Sequence, residues 1–385
     1  MRKHRDHLWE TLGALGAVAF GAGLLLYPAH VQESVAASSL YCLTALVPSL
    51  FPFMVLSSFG VRSGAGEMLA KPFGPVTRTL FRLPAICGAT LVLSFFGGYP
   101  AGARGVSLLL EEGKISEKQA GQMMSFCVAP GAAFVVTFLG CGVLGSLRLG
   151  WLLFASVTLS GLILGVLAGL GKPLPEKQTS SPVSQSSNSP LVQSVWDACS
   201  AVAKMCGCIL LFAGFTALLR GSGIFQTAVQ SLSATGLLGP RETAACLSFL
   251  LEVTGGTGDA AALGVAPVFY AFGVAFGGLC VHLQVFSFFR KFPLSKKWFF
   301  LTRFLHGLGA AGIFLVLRRI FPGEAQWVWA SSNAPLEPGI TASTAAGGLS
   351  LLLMCLAFLV FVGRSLTNAK KEPSSPLAPS QKDVV

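Results

Sequence analysis

The chain has 385 residues, 53% hydrophobic and only 11% charged, whereas a soluble domain carries roughly 25% charged residues. That deficit excludes a surface bathed in water on all sides. The net charge of +11 is no nucleic-acid footprint either, because Lys and Arg fall between apolar runs and not along one amphipathic face. The ten cysteines are scattered; the nearest pair, Cys206 and Cys208, lacks the spacing and the His partners of a zinc or redox site, so no metal or cofactor is expected.

In chain order, Met1 to Asp6 precedes an apolar run from Leu8 to Tyr27. This run is long for a signal-peptide core and more spans follow, so residues 1–34 read as a short tail and a retained first helix. Further runs at 38–60, 119–143, 149–170, 196–219, 266–289, 298–317 and 346–363 have the length that crosses a hydrocarbon core of about 30 Å. Pro48 and Pro52 interrupt the run 38–60; they free helix carbonyls for a cation or a solute hydroxyl, or simply kink the helix to pack it. Two more stretches are too glycine-rich for ordinary spans. Residues 84–110 are interrupted at Gly97-Gly98-Tyr99-Pro100-Ala101-Gly102, and residues 242–265 at Gly255-Gly256-Thr257-Gly258. Both are predicted to be re-entrant hairpins, which survive at membrane depth only when buried in protein or lining a wet cavity.

Residues 172–194 form a polar Pro/Ser-rich linker between halves 35–171 and 195–320. A loop and last helix (321–363) and a charged, disordered tail (364–385) follow. With the N-terminus inside and both hairpins returning to their side of origin, twenty of the 27 Lys and Arg fall inside and five outside, with Lys204 and Arg303 within spans. Both termini are then cytoplasmic, and the halves become one motif in opposite orientation. The expected fold is an all-α polytopic membrane protein with eight transmembrane helices, two glycine-broken hairpins and an inverted repeat. Interrupted segments at matching positions of such a repeat point to a transporter site.

The densest signal is Gly97, Gly98, Tyr99, Pro100, Gly102 and Arg104. The glycines permit a break, and Pro100 suits the first turn of a new half-helix whose free N–H groups favour an anion. Ionisable residues inside spans are candidates because burying them is costly. Lys204, Arg303 and the polar Gln284, with Gly255, Gly256 and Thr257 at the second break, are assigned to solute binding. Glu252 and Asp259 either pair with Lys204 or Arg303 or bind a coupling proton or sodium ion. No nucleophile elbow, zinc-protease helix, P-loop or dinucleotide fingerprint is present, so an enzyme is not expected.

Several motifs resemble a known family. They are Pro48-Ser49-Leu50-Phe51-Pro52-Phe53, the run Gly98 to Arg104, Glu112 to Ser116 with Ala120, Ser125-Phe126-Cys127, Gly277-Gly278 before His282-Leu283-Gln284-Val285, and Arg303-Phe304-Leu305-His306. Together, over roughly residues 35–320, they resemble the YlbJ-type sporulation integral membrane proteins, which carry the nucleoside-recognition or Gate domain. The resemblance implies a permease in the cell membrane or outer forespore membrane that moves dipicolinic acid into the forespore. One departure is that Val128-Ala129-Pro130-Gly131 stands where the family shows Asn residues before a Gly-Pro pair. The expected partners are a small anionic solute and the lipid bilayer, with oligomers compatible. A nucleoside or nucleobase transporter and a non-transporting scaffold for spore assembly are the alternatives.

Overall fold

The computed structural model describes residues 2–63, 65–175 and 189–322, all within one compact unit. The centre of the predicted linker, the predicted helix 346–363 and the tail lie outside the described residues. Every regular element among the described residues is helical.

α1 (Arg2–Leu26) meets α2 (Pro28–Tyr41) at Tyr27; Pro28 opens α2, where its missing N–H leaves nothing unpaired. The apolar stretches Gly13–Leu26 and Pro28–Thr44 are bent by 97°. The predicted span 38–60 is helical, but it begins at Pro28 and passes through a π-helical turn, Cys42–Leu46, before α3 (Val47–Arg62). Just ahead of Pro48, the Val47 N–H reaches back to the Cys42 carbonyl. α4 (Ala65–Leu80) then leads to α5 (Cys87–Glu111).

α5 is two arms joined at Gly98, whose φ of 75° and ψ of −169° only glycine adopts readily. The arms double back on one another. A Cβ on Gly102 would lie 2.9 Å from Ser94 Cβ, and one on Gly105 would lie 2.6 Å from Thr90 Cγ2. In a straight helix residues 90 and 105 would stand about 22 Å apart. The predicted hairpin at 84–110 is therefore a folded-back helix pair with its tip at Gly98.

α6 (Glu117–Met124) starts with a reciprocal cap between Ser116 and Gln119. It does not continue into the predicted span 119–143. Residues 125–131 are non-helical, and the chain resumes as a π-helical segment, Ala133–Val143. α7 (Leu147–Gly169) and α8 (Pro190–Gly221) are long apolar helices, α8 starting inside the predicted linker. α9 (Ile224–Ser233) leads to the second hairpin, α10 (Pro240–Leu251) and α11 (Val253–Ala262).

The break in this hairpin is not at the glycines. It falls at Glu252, which is extended (φ −150°, ψ 128°), and Gly255, Gly256 and Gly258 lie inside α11. Glycine tolerates the helix there because it lets the arms touch: a Cβ on Gly256 would sit 2.8 Å from the Phe249 backbone. The predicted span 266–289 is also interrupted. α12 (Pro267–Phe276) and α13 (Gly278–Ser287) join at Gly277 and Gly278, with φ of 90° and 72°. α14 (Lys296–Ile320) closes the described chain.

Among the described residues four stretches have the length and apolar character to cross a bilayer, namely Leu147–Gly169, Pro190–Gly221, Pro267–Ser287 and Lys296–Ile320; the bent pair makes a fifth. Their outer faces are apolar. Trp151, Ile163 and Leu167 on α7 are half exposed, as are Leu301, Leu305 and Leu308 on α14. Such stripes suit lipid as the solvent. The chain is an all-α integral membrane protein.

The close approach of α5 to the 125–131 segment gives the first test. A Cβ at Gly102 would lie 2.2 Å from the Cys127 carbonyl oxygen, whereas one at Gly207 meets nothing within 4 Å. Gly102→Ala should lower stability by about 2 kcal/mol, as overpacking does. Thermal unfolding in detergent checks this, with Gly207→Ala expected to melt at or above the wild-type temperature.

Candidate functional site: a cavity where four chain breaks meet

The breaks at Gly98, at 125–131, at Glu252 and at Gly277–Gly278 leave backbone groups without helical partners, and the fold gathers these four in one place. A Cβ on Gly98 would lie 3.1 Å from the Gly131 nitrogen, joining the first hairpin tip to the 125–131 break. One on Gly278 would lie 3.4 Å from the Glu252 nitrogen, joining the second tip to the α12–α13 break. Tyr99 links the two sets. Its hydroxyl donates to the Val274 carbonyl, and its ring lies 3.3 Å from where a Gly277 Cβ would be.

Between these breaks lies a cavity of about 310 Å³. Gly98, Tyr99 and Pro100 line it from the first hairpin, and Glu252, Val253 and Thr254 from the second. Val281 and Gln284 come from α13, and Met205 and Ile209 from α8. Both π-helical regions contribute: Tyr41 and Leu46 border one, and Phe134, Thr137 and Phe138 belong to the other. The Tyr41 and Phe138 rings stand 5.1 Å apart, and Phe134 stacks on Phe138 at 5.3 Å. The wall is thus aromatic and aliphatic with a few polar groups, the usual make-up of a small-molecule site.

Glu252 is the charged group of the cavity. Its carboxylate caps α11, accepting from the Thr254 N–H at 2.9 Å and the Gly255 N–H at 2.6 Å. Two amides and the positive helix end stabilise the anion. Among the described residues no Lys, Arg or His forms an ion pair with it. Gln284 is buried and donates to Cys280 Sγ at 3.3 Å.

The remaining residues singled out in the sequence are dispersed. Gly97 and Gly102 serve packing, against Ala101 and Phe53 and against Cys127. Gly255 and Gly256 sit in the first turn of α11, and Thr257 is buried, donating to the Thr254 carbonyl at 2.6 Å. Asp259 pairs with Arg220 on α8, not with Lys204 or Arg303. Arg104 and Lys204 border a separate, smaller cavity.

Arg303 is fully buried and donates to the carbonyls of Ser125 and Val128. It supplies the partners that the 125–131 break lacks. His306, one turn on, bonds through its ring to the Val157 carbonyl at 2.9 Å and so ties α14 to α7.

Sequence reasoning missed Tyr41, Thr254 and the Phe134–Phe138 wall, which look like ordinary apolar-run residues. It also missed Asp197, an acidic residue just inside an apolar run. That carboxylate accepts from Ser58 and Arg62, both at 2.7 Å, and pairs with Arg104 at 3.1 Å. Replacing Arg303 by Met would strand two buried carbonyls and should cost about 3 kcal/mol. The melting temperature in detergent should fall sharply and recover in part with Lys; an unchanged Met variant would contradict the clamp.

The chain is 26% identical over 300 residues to the sporulation integral membrane protein YlbJ of Bacillus subtilis, an alignment covering 70% of this chain and 73% of that one. No family model matches, and no solved structure matches. The similarity bears out the family resemblance drawn from the motifs.

Proposed function

Starting from an integral membrane protein of YlbJ type, we propose that this chain is a permease acting in sporulation, with its solute site in the cavity between the four breaks. The solute we assign is a small organic anion, dipicolinate, carried into the forespore. The relative's name supports the setting, and the cavity supports the activity. A mostly apolar chamber rimmed by interrupted helices is the arrangement that secondary transporters use at the bilayer midplane. Each half offers a hairpin followed by an interrupted segment: α5 with 125–143, and α10–α11 with α12–α13. This pairing supports the reading of an inverted repeat working by alternating access.

The aromatic wall formed by Tyr41, Phe134 and Phe138 suits a flat ring, which dipicolinate has. The same wall favours a second reading. With a carboxylate, an amide and hydroxyls but no cation among its lining residues, the cavity could also hold a neutral nucleobase or nucleoside. A membrane scaffold that carries no solute would leave the cavity without a role.

Uptake into proteoliposomes separates these readings. Labelled dipicolinate should accumulate, and excess unlabelled dipicolinate should compete better than uridine. Gly98→Ala places a Cβ at φ 75° and ψ −169°, straining the tip by about 1–3 kcal/mol, and should abolish uptake. Preferential uptake of uridine would select the nucleoside reading, and a folded protein that moves neither solute would contradict the permease.

A further inference from the structure

The larger cavity presents a carboxylate and no cation, which is a poor first contact for an anion. The cations lie close by. A smaller cavity of about 80 Å³ is bordered by Arg104, Asp197, Ser200, Ala201, Lys204 and Phe288. Three elements run from one cavity to the other. On α5, Gly98 to Pro100 line the large cavity and Arg104 the small one. On α13, Gln284 lines the large cavity, and Phe288, its C-terminal cap, the small one. On α8, Met205 and Ile209 line the large cavity, and Lys204 and Ser200 the small one. Four residues of helix advance about 6 Å, so the two cavities are stacked about one turn apart.

The charge around the small cavity is unbalanced. Asp197 is shared by Arg62 at 2.7 Å and Arg104 at 3.1 Å, and Ser58 also donates to it. Glu111 reaches Arg104 only at 3.4 Å and is itself half exposed. Lys204 lies two turns beyond Asp197 on α8 and forms no ion pair among the described residues. Two cations, Arg104 and Lys204, and one carboxylate, Asp197, therefore border a space that admits another carboxylate group.

We propose that the small cavity is a carboxylate-binding vestibule of the solute path, in which a carboxylate of the incoming anion takes over Arg104 and Lys204 while Asp197 stays with Arg62 and Ser58. The proposal rests on the permease reading above. Asp197 acts as an internal stand-in for the solute. It neutralises Arg104 when the vestibule is empty and competes with the solute when it is not. A small dicarboxylate fits best, because one carboxylate can be held here while its ring enters the aromatic chamber one turn away. The geometry assigns recognition of negative charge to the vestibule and recognition of the flat ring to the chamber.

Equilibrium dialysis of pyridine-2,6-dicarboxylate against the purified full chain in nanodiscs tests this, alongside uptake into proteoliposomes. Losing one partly exposed charge contact weakens binding about fivefold. Lys204→Gln, at a side chain with no hydrogen bond or ion pair among the described residues, should raise Kd by that factor. Asp197→Asn removes the competitor and should lower Kd by a similar factor, whereas a merely structural tether would not yield tighter binding. An unchanged Kd in Lys204→Gln overturns the vestibule, as does unchanged or weaker binding in a folded Asp197→Asn, or no binding by the wild type. Uptake that ignores both substitutions sinks the vestibule and leaves the permease standing. Binding that responds to both without any uptake sinks the permease and leaves the vestibule.

Discussion

A backbone N–H or C=O left without a partner in hydrocarbon costs several kcal/mol, and among the described residues four breaks in apolar segments meet around one cavity. The fold is organised around that constraint. The breaks are brought together and supplied with partners from elsewhere in the chain. Arg303 satisfies the Ser125 and Val128 carbonyls, Glu252 satisfies two α11 amides, and Tyr99 reaches the Val274 carbonyl. Glycines at the contacts let backbone approach backbone. The cavity is what remains where four helix ends meet and side chains cannot fill the space.

The electrostatics follow from the same arrangement. A helix start gives a carboxylate a favourable setting, and Glu252 occupies the start of α11 facing the cavity. The cations stand one turn away, where Asp197 joins α8 to α3 and α5. In the proposed permease, separating the cavity bordered by Arg104 and Lys204 from the aromatic one lets charge and shape be recognised at different places.

Much of this was legible in the sequence. Gly97-Gly98-Tyr99-Pro100 announces a helix pair broken at its tip, because glycine supplies the rare backbone angles and proline suits the start of the next arm. The second hairpin was legible as a hairpin, but its break was not. The glycines at 255, 256 and 258 looked like the interruption and are helical, because at Gly256 the missing Cβ makes room for Phe249. The true break is marked by Glu252, which caps rather than disrupts. The interruption at 125–131 lies in a run read as one span, although Pro130-Gly131 within it is a helix-breaking pair. Its partner, Arg303, lies more than 170 residues away, and hydropathy carries no trace of that pairing. The cavity wall was hidden for a similar reason: Tyr41 lies more than 90 residues from Phe134 and Phe138, and only the folded chain brings the rings together.

The most direct measurement of the central claim is thiol accessibility in membranes, on a background without the native cysteines. Thr254→Cys and Thr137→Cys at the cavity should react with a hydrophilic, membrane-impermeant reagent and be protected by added dipicolinate. Ile163→Cys on the lipid-facing side of α7 should not react. Unreactive thiols at 254 and 137, or reactivity indifferent to every solute tested, would contradict a wet, solute-holding chamber where the four breaks meet.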